Sequence, residues 1–324
     1  MIINSTEYTV VDVYDISITV PDSFVTPTNK TCKGNGEAKL YMGSKDHMRS
    51  FYAGNAANAG FSAKCMILKS DLLQYLETIH HEYLHPSIKY RGCKSHGNMG
   101  LLWDARFNKV RELPTEVILF DVNDQNQIAG DRGYVKTSVN PLSGGYGLIR
   151  ELSLPFVSYI SVMKLQDVNS GEIFFYWKLF TDFSQMAEQQ YRAKHYGKKK
   201  AERKPARDGQ TKYRQALFAQ FRHCPFTQID DISLLIASHI KPWAICNKEE
   251  KTDINNGIML SPLFDKLFDK GYISFENDGT IKISNWLSPT NQARIDFSYD
   301  ANDLHLGALR NSYLEYHRKY VFKS

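Results

Sequence analysis

Four polar residues near the carboxyl end stand in an order that could do chemistry. Asn256 follows His239 by 17 residues, Asp265 follows Asn256 by nine, and Asp269 follows Asp265 by four. A helix turns roughly 100° per residue, so Asp265 and Asp269 project from one face, one turn apart. Two such carboxylates repel and weaken an isolated helix. A shared divalent cation would remove that repulsion, and oxygen donors favour a hard ion such as Mg²⁺ or Mn²⁺. The reaction this set suits is hydrolysis of a phosphodiester. One ion would stabilise charge on a phosphate oxygen and on the leaving oxygen. His239, neutral at pH 7 with a reference pKa of about 6.5, would take a proton from the attacking water. Asn256 would hold the loop backbone so that the imidazole meets that water.

The elements that must position these residues follow from pattern. TKYRQALFAQFR predicts an amphipathic helix with Tyr213, Leu217 and Phe221 on one side. ISLLIASHI reads as a strand ending at His239, KPWAICNKEEKTDIN as a long loop, and NGIMLS as a short strand opened by Asn256. A short helix is expected over 262–270, with Ser261 as its cap, Pro262 in its first turn and Gly271 ending it. YISFENDGTIKIS predicts a hairpin, and a last helix is expected over roughly 303–321.

The segments YRQALFAQFRHCPFTQ, LLIASHIKPW and NNGIMLSPLFDKLFDKGYISFENDGTIKIS resemble the HNH (ββα-metal) endonuclease branch found at the C-termini of bacterial restriction enzymes, as does the ending YLEYHRKYVF. The resemblance covers about residues 211–324, a third of the chain. It implies a metal-dependent phosphodiester hydrolase with His239 as general base, Asn256 as the middle Asn of the motif, and Asp265 in place of its final His. Asp269 matches the Asp of the family's Leu-Phe-Asp. Asp265 and Asp269 are then the metal ligands, with one ion per site. Ser238 stands where many relatives carry a further ligand before the base, and Gln228 replaces a family glycine. Cys224 and Cys246 lack partners for a structural zinc, and none is expected.

Residues 1–180 read as strand-rich, with runs such as YTVVDVYDISITV, TEVILFDV, PFVSYISVMKL and EIFFYWKLF, and one helix over SDLLQYLETIHHEYL. The fold class expected is α+β: a strand-rich DNA-recognition domain (1–180), a helix and basic linker (181–210), and an HNH nuclease domain (211–324). A further helix is expected over 182–196. Segments SKDHMRSFYAGNAANAG and KYRGCKSHGN are candidate DNA-contacting loops. The net charge of +5 is concentrated: residues 192–214 hold ten basic and two acidic side chains. Lys198, Lys199, Lys200, Arg203, Lys204, Arg214 and Lys241 are the candidate phosphate contacts.

Five cysteines without a CxxC pair give neither a disulfide framework nor a zinc ribbon. No signal peptide is expected from the opening residues and no stretch has the length of a membrane span, so the expected location is cytoplasmic. The leading functional expectation is a restriction-type endonuclease of bacterial defence acting on double-stranded DNA, as a homodimer at least on DNA. The alternatives are a nuclease effector activated by a signal that the N-terminal domain senses, and a non-cleaving DNA-binding protein with a degenerate HNH fold.

Overall fold

The computed structural model describes residues 1–32, 37–54, 60–96, 99–125, 130–182 and 205–324, without the side chains of 15–17, 94–96 and 205–211. The chain divides into two compact units, Met1–Met186 and Ala187–Ser324. The architecture is α+β, strand-rich in the N-terminal unit.

In that unit the chain forms β1 (Ile2–Ile3), β2 (Thr6–Thr19), β3 (Leu40–Ser44), α1 (Lys45–Ala53), β4 (Ser62–Leu68), α2 (Lys69–Leu84), α3 (Arg91–His96), α4 (Met99–Arg111), β5 (Val117–Asp124), β6 (Arg132–Lys136), α5 (Gly144–Leu152), β7 (Ser158–Asp167) and β8 (Ile173–Thr181). One eight-stranded sheet runs in the order β1-β2-β7-β8-β4-β5-β6-β3. Neighbours are antiparallel except β4 and β8, which pair in parallel at the centre. Most of β7 and the middle of β8 are buried, residue after residue, which is why their sequences lack a polar alternation. Leu72, Leu76, Ile79 and Tyr83 give α2 its core-facing stripe. Buried charge is paired: Lys178 meets Asp71 at 2.9 Å, and Arg106 donates to Tyr83 Oη at 2.7 Å and Asn29 Oδ1 at 2.6 Å.

The C-terminal unit contains α6 (Pro205–Phe221), β9 (Ile236–His239), β10 (Gly257–Leu260), α7 (Pro262–Asp269), β11 (Ile273–Phe275), β12 (Ile281–Ile283), α8 (Pro289–Gln292) and α9 (Ala308–Tyr320). β9 and β10 form an antiparallel pair with Gly257 opposite His239 and Ile258 opposite Ser238. Tyr213, Leu217 and Phe221 of α6 join Ile258, Met259 and Leu260 of β10 in one core with Phe264, Leu267 and Phe268 of α7. Position 257 must be glycine, because a Cβ there would collide with the Tyr213 hydroxyl. Gly271, at φ +69°, ends α7 in the left-handed region that glycine adopts without strain. From α9, buried Arg310 reaches across the unit. It donates to Gln220 Oε1 on α6 at 3.0 Å and to the Ile254 carbonyl at 3.1 Å.

Several expectations need correction. Helix α6 begins at Pro205, inside the segment read as linker. Proline at a helix's first position loses no hydrogen bond, and the rest of the helix carries Gly209 at a penalty of about 1 kcal/mol. The run ISLLIASHI is broken: Ile232–Leu234 form a 3₁₀ turn capped by the Asp231 carboxyl, and the strand starts only at Ile236. Ser261 stands at the N-cap of α7 but its hydroxyl makes no cap bond; it is buried and accepts from the Cys224 thiol at 3.7 Å. The last helix is split into a 3₁₀ turn, Ala301–Leu304, and α9. In the N-terminal unit α1, α3, α4 and α5 lie where loops were read. Met48, Arg49, Phe51 and Tyr52 are buried on α1, so they offer DNA no surface, and Tyr90 is likewise buried. The expected helix over 182–196 lies, from 183 on, outside the described residues, as does the basic run at 198–204. Among the described residues no helix is long and apolar enough to cross a membrane.

His317 of α9 welds the helix to this core. Its ring stacks on Phe268 at 3.9 Å, Nε2 donates to the Phe268 carbonyl at 3.1 Å, and Nδ1 accepts from Ser274 Oγ at 2.9 Å. Burial drives its pKa down to about 3. The unfolded chain takes up this proton near pH 6.5 and the folded chain only near 3, so the unfolded state binds more protons between those values and stability falls as pH falls. We expect His317 alone to remove about 2 kcal/mol from the C-terminal unit between pH 8 and pH 5. Urea midpoints of wild type and His317→Gln at both pH values check this. The variant is less stable at pH 8 but loses less on acidification; equal losses in the two proteins would contradict the assignment.

Candidate active site

The loop between β9 and β10 is built around Asn256, whose side chain is fully buried. Its Oδ1 accepts the Lys241 amide at 2.8 Å, and its Nδ2 donates to the Glu250 carbonyl at 3.0 Å and lies 3.2 Å from the Cys246 sulfur. Its own carbonyl accepts from the Tyr213 hydroxyl at 3.0 Å and the Ile240 amide at 3.2 Å. One residue therefore ties both ends of the loop to β10 and to α6. Asp253 shapes the turn into Asn256, accepting the Asn255 amide at 2.8 Å and the Tyr313 hydroxyl at 2.9 Å. Inside the loop Lys241 Nζ contacts both Glu250 oxygens, at 2.6 and 2.8 Å. That ammonium holds the Glu250 carboxyl below the usual carboxylate range.

His239 is the last residue of β9 and half-buried. Its ring stacks on Tyr213 with centroids 4.5 Å apart. Nε2 lies 3.1 Å from the Lys251 carbonyl. A carbonyl only accepts, so Nε2 carries the hydrogen and Nδ1 keeps the lone pair. Burial pushes the imidazole's pKa below its usual value, partly offset by that carbonyl. The neutral ring with a basic Nδ1 is thus the dominant form at pH 7. His239 lines a cavity of about 300 Å³ with Tyr213, Arg214, Leu235, Ile236, Ala237 and Trp243.

Ser238, the neighbour of His239 on β9, meets Asp265 of α7. Burial raises the Asp265 carboxyl above the usual carboxylate range, and the Ser238 hydroxyl and the Lys266 ammonium draw it back in part. The Ser238 hydroxyl is itself buried and makes no hydrogen bond of ordinary geometry. A buried hydroxyl oxygen beside a partly desolvated carboxyl is an oxygen donor set of the kind that suits a hard divalent cation. Asp269 is exposed at the end of α7. Among the described residues no three His, Cys, Asp or Glu side chains gather as a ready-made metal site.

The structure therefore brings Asn256 to the loop that follows His239, and Asp265 to Ser238. Of the basic candidates, Lys241 is engaged by Glu250, and Arg214 donates to the Leu235 and Ile232 carbonyls, at 3.0 Å for the former. Lys198, Lys199, Lys200, Arg203 and Lys204 lie outside the described residues. Two site features were missed in the sequence. The Tyr213 ring was read only as part of an apolar stripe, and nothing in its spacing announces a stack on His239. The Lys241–Glu250 pair carried a weak signal, opposite charges nine residues apart within one loop.

Residues 224–276 match the HNH endonuclease family (HNH_2). The matched span runs from Cys224 through β9, the loop, β10 and α7 to the end of β11, and so contains His239, Asn256, Asp265 and Asp269. No curated protein matches the chain. The C-terminal unit carries an HNH endonuclease domain, which supports a nuclease function and implies a nucleic-acid substrate; nucleases of this type generally use a divalent metal.

Replacing Asn256 by alanine strands the half-buried Lys241 amide and Glu250 carbonyl, each at about 1–3 kcal/mol or less where water reaches them. We expect Asn256→Ala to lower the stability of the C-terminal unit by a few kcal/mol and to raise amide exchange across 240–256. Hydrogen-exchange mass spectrometry of the full chain checks this, and wild-type protection in those peptides would show that Asn256 does not hold the loop.

Proposed function

We propose, for a chain whose C-terminal unit carries an HNH endonuclease domain, that it is a restriction-type endonuclease hydrolysing phosphodiester bonds of double-stranded DNA. His239 is its general base, Asn256 its loop-positioning residue, and Asp265 with Asp269 its ligands for one Mg²⁺ or Mn²⁺ ion. The observation that carries the reading is at the end of β9. His239 offers an unprotonated Nδ1 there, and the residue before it faces a carboxyl raised by burial.

The residues divide the work as follows. The Lys251 carbonyl keeps the proton on Nε2, so Nδ1 receives the proton of the attacking water. The Tyr213 stack and the Asn256 bonds hold the ring and its loop in place while that proton moves. Asp265, beside Ser238, would hold the ion, and Asp269 one turn on would share it. A bound divalent ion supplies charge stabilisation at the phosphate and the leaving oxygen. The residues at 198–204, with Arg214, supply sequence-independent phosphate affinity in this reading, and the N-terminal unit chooses the site. Cutting both strands with one site per chain takes two sites or two visits, and a homodimer on DNA supplies the two sites.

His239→Ala is expected to lose cleavage by about 10²–10⁴-fold, the usual contribution of a general base, while binding DNA as wild type does. Plasmid digestion in Mg²⁺ or Mn²⁺ alongside a gel-shift assay measures both. Cleavage by the variant within about tenfold of wild type would be too small a loss for a general base. Tight DNA binding by wild type with no cleavage in either metal would favour a non-cleaving HNH fold instead.

A further inference from the structure

The cavity beside His239 has a composition that proton transfer does not explain. Leu235, Ile236 and Ala237 form an apolar wall, Trp243 an aromatic one, and Arg214 contributes the permanent positive charge among the lining residues. Ile236 and Trp243 remain exposed, Trp243 at 41%. The Lys251 ammonium lies over one face of the Trp243 ring at 4.1 Å, and the ring as a whole keeps much of its surface accessible. The volume, about 300 Å³, falls at the small end of ligand pockets, which run from roughly 300 to 1,000 Å³.

A flat, partly apolar, anionic-tethered group satisfies all of these walls at once. We propose that the cavity seats an unstacked nucleobase of the strand being cut, its face on Trp243 and its phosphate towards Arg214 and His239. The inference rests on the nuclease reading and names how that site takes hold of its substrate. Base–aromatic stacking tolerates any base, because every base has a π-face, so the seat grips the strand beside the scissile bond without reading sequence. The charge of Arg214, with Lys251 close to the indole, favours a nucleotide over an uncharged apolar segment of protein. Drawing a base out of its stack also moves the neighbouring backbone, which would bring a phosphate within reach of the water that Nδ1 of His239 activates.

The test uses the full chain in EDTA, so that no bond is cut, and follows tryptophan fluorescence. Trp177 and Trp286 are buried and Trp103 is half-buried, stacked on His80 and Phe107, so the quench belonging to Trp243 is the part that Trp243→Phe removes. The probes are an oligothymidylate of eight residues and an abasic oligonucleotide of the same length and charge. The oligothymidylate is expected to quench wild type to saturation and the abasic strand to leave it bright. Trp243→Ala should weaken oligothymidylate binding roughly 5- to 150-fold, the range for loss of one stacked base, and leave abasic binding unchanged. Trp243→Phe, which keeps an aromatic face, should recover most of the affinity but not the quench. Equal quenching by the abasic strand, or wild-type affinity in Trp243→Ala, overturns the proposal. A chain that cuts no DNA yet shows the expected pattern would sink the nuclease reading and uphold the base seat. A chain that cuts DNA without base-dependent quenching overturns the seat alone.

Discussion

A single buried amide organises the C-terminal unit. Asn256 has its polar groups to satisfy away from water, and it satisfies them with the loop that leaves β9, with Tyr213 and with Ile240. Leaving such groups unpaired would be expensive, so the loop has little choice of path. Its path fixes the Lys251 carbonyl, and the carbonyl fixes the tautomer of His239. Tyr213, held by the same residue, supplies the face on which the imidazole rests. Arg310 closes the arrangement from α9, bonding the turn that delivers Asn256 and the helix that delivers Tyr213.

Alternation along a strand then separates the duties. Successive side chains of β9 point to opposite faces, so Ser238 meets Asp265 on α7 while His239 meets Tyr213 on α6. In the proposed mechanism, a base and an ion on the two sides of one strand end would address one phosphate from two directions without the imidazole becoming a metal ligand. The short strand is what allows this: β9 ends at His239, and the chain turns away at once into the Asn256-bound loop.

Sequence reading recovered the parts of this design that depend on local spacing. The Pro262 and Gly271 boundaries of α7 and the Tyr213–Leu217–Phe221 stripe are near-neighbour patterns, and the structure has α7 and the stripe where they were expected. Four strands of the N-terminal sheet, β2, β5, β7 and β8, were also expected, because their runs are rich in aromatic and β-branched residues; β1, β3, β4 and β6 carry shorter or weaker runs and were not. What escaped was set by tertiary contact. The helices α1, α4 and α5 sit in segments rich in glycine, asparagine or charge, and burial against the sheet overrides those local signals. Ser261 satisfies every sequence rule for a cap, yet packing turns its hydroxyl towards Cys224. The strand order of the sheet, with its central parallel pair, has no local signature at all.

The central claim is that Asp265, beside the orphaned Ser238 hydroxyl, holds the ion that serves His239. Mn²⁺ binding to the full chain, measured by calorimetry or by the loss of free-ion electron spin resonance signal, addresses it without DNA or turnover. The account predicts one ion bound per chain in wild type and in His239→Ala, and no such binding in Asp265→Ala. An Asp265→Ala protein that is folded by circular dichroism and still binds one Mn²⁺ with wild-type affinity would contradict it.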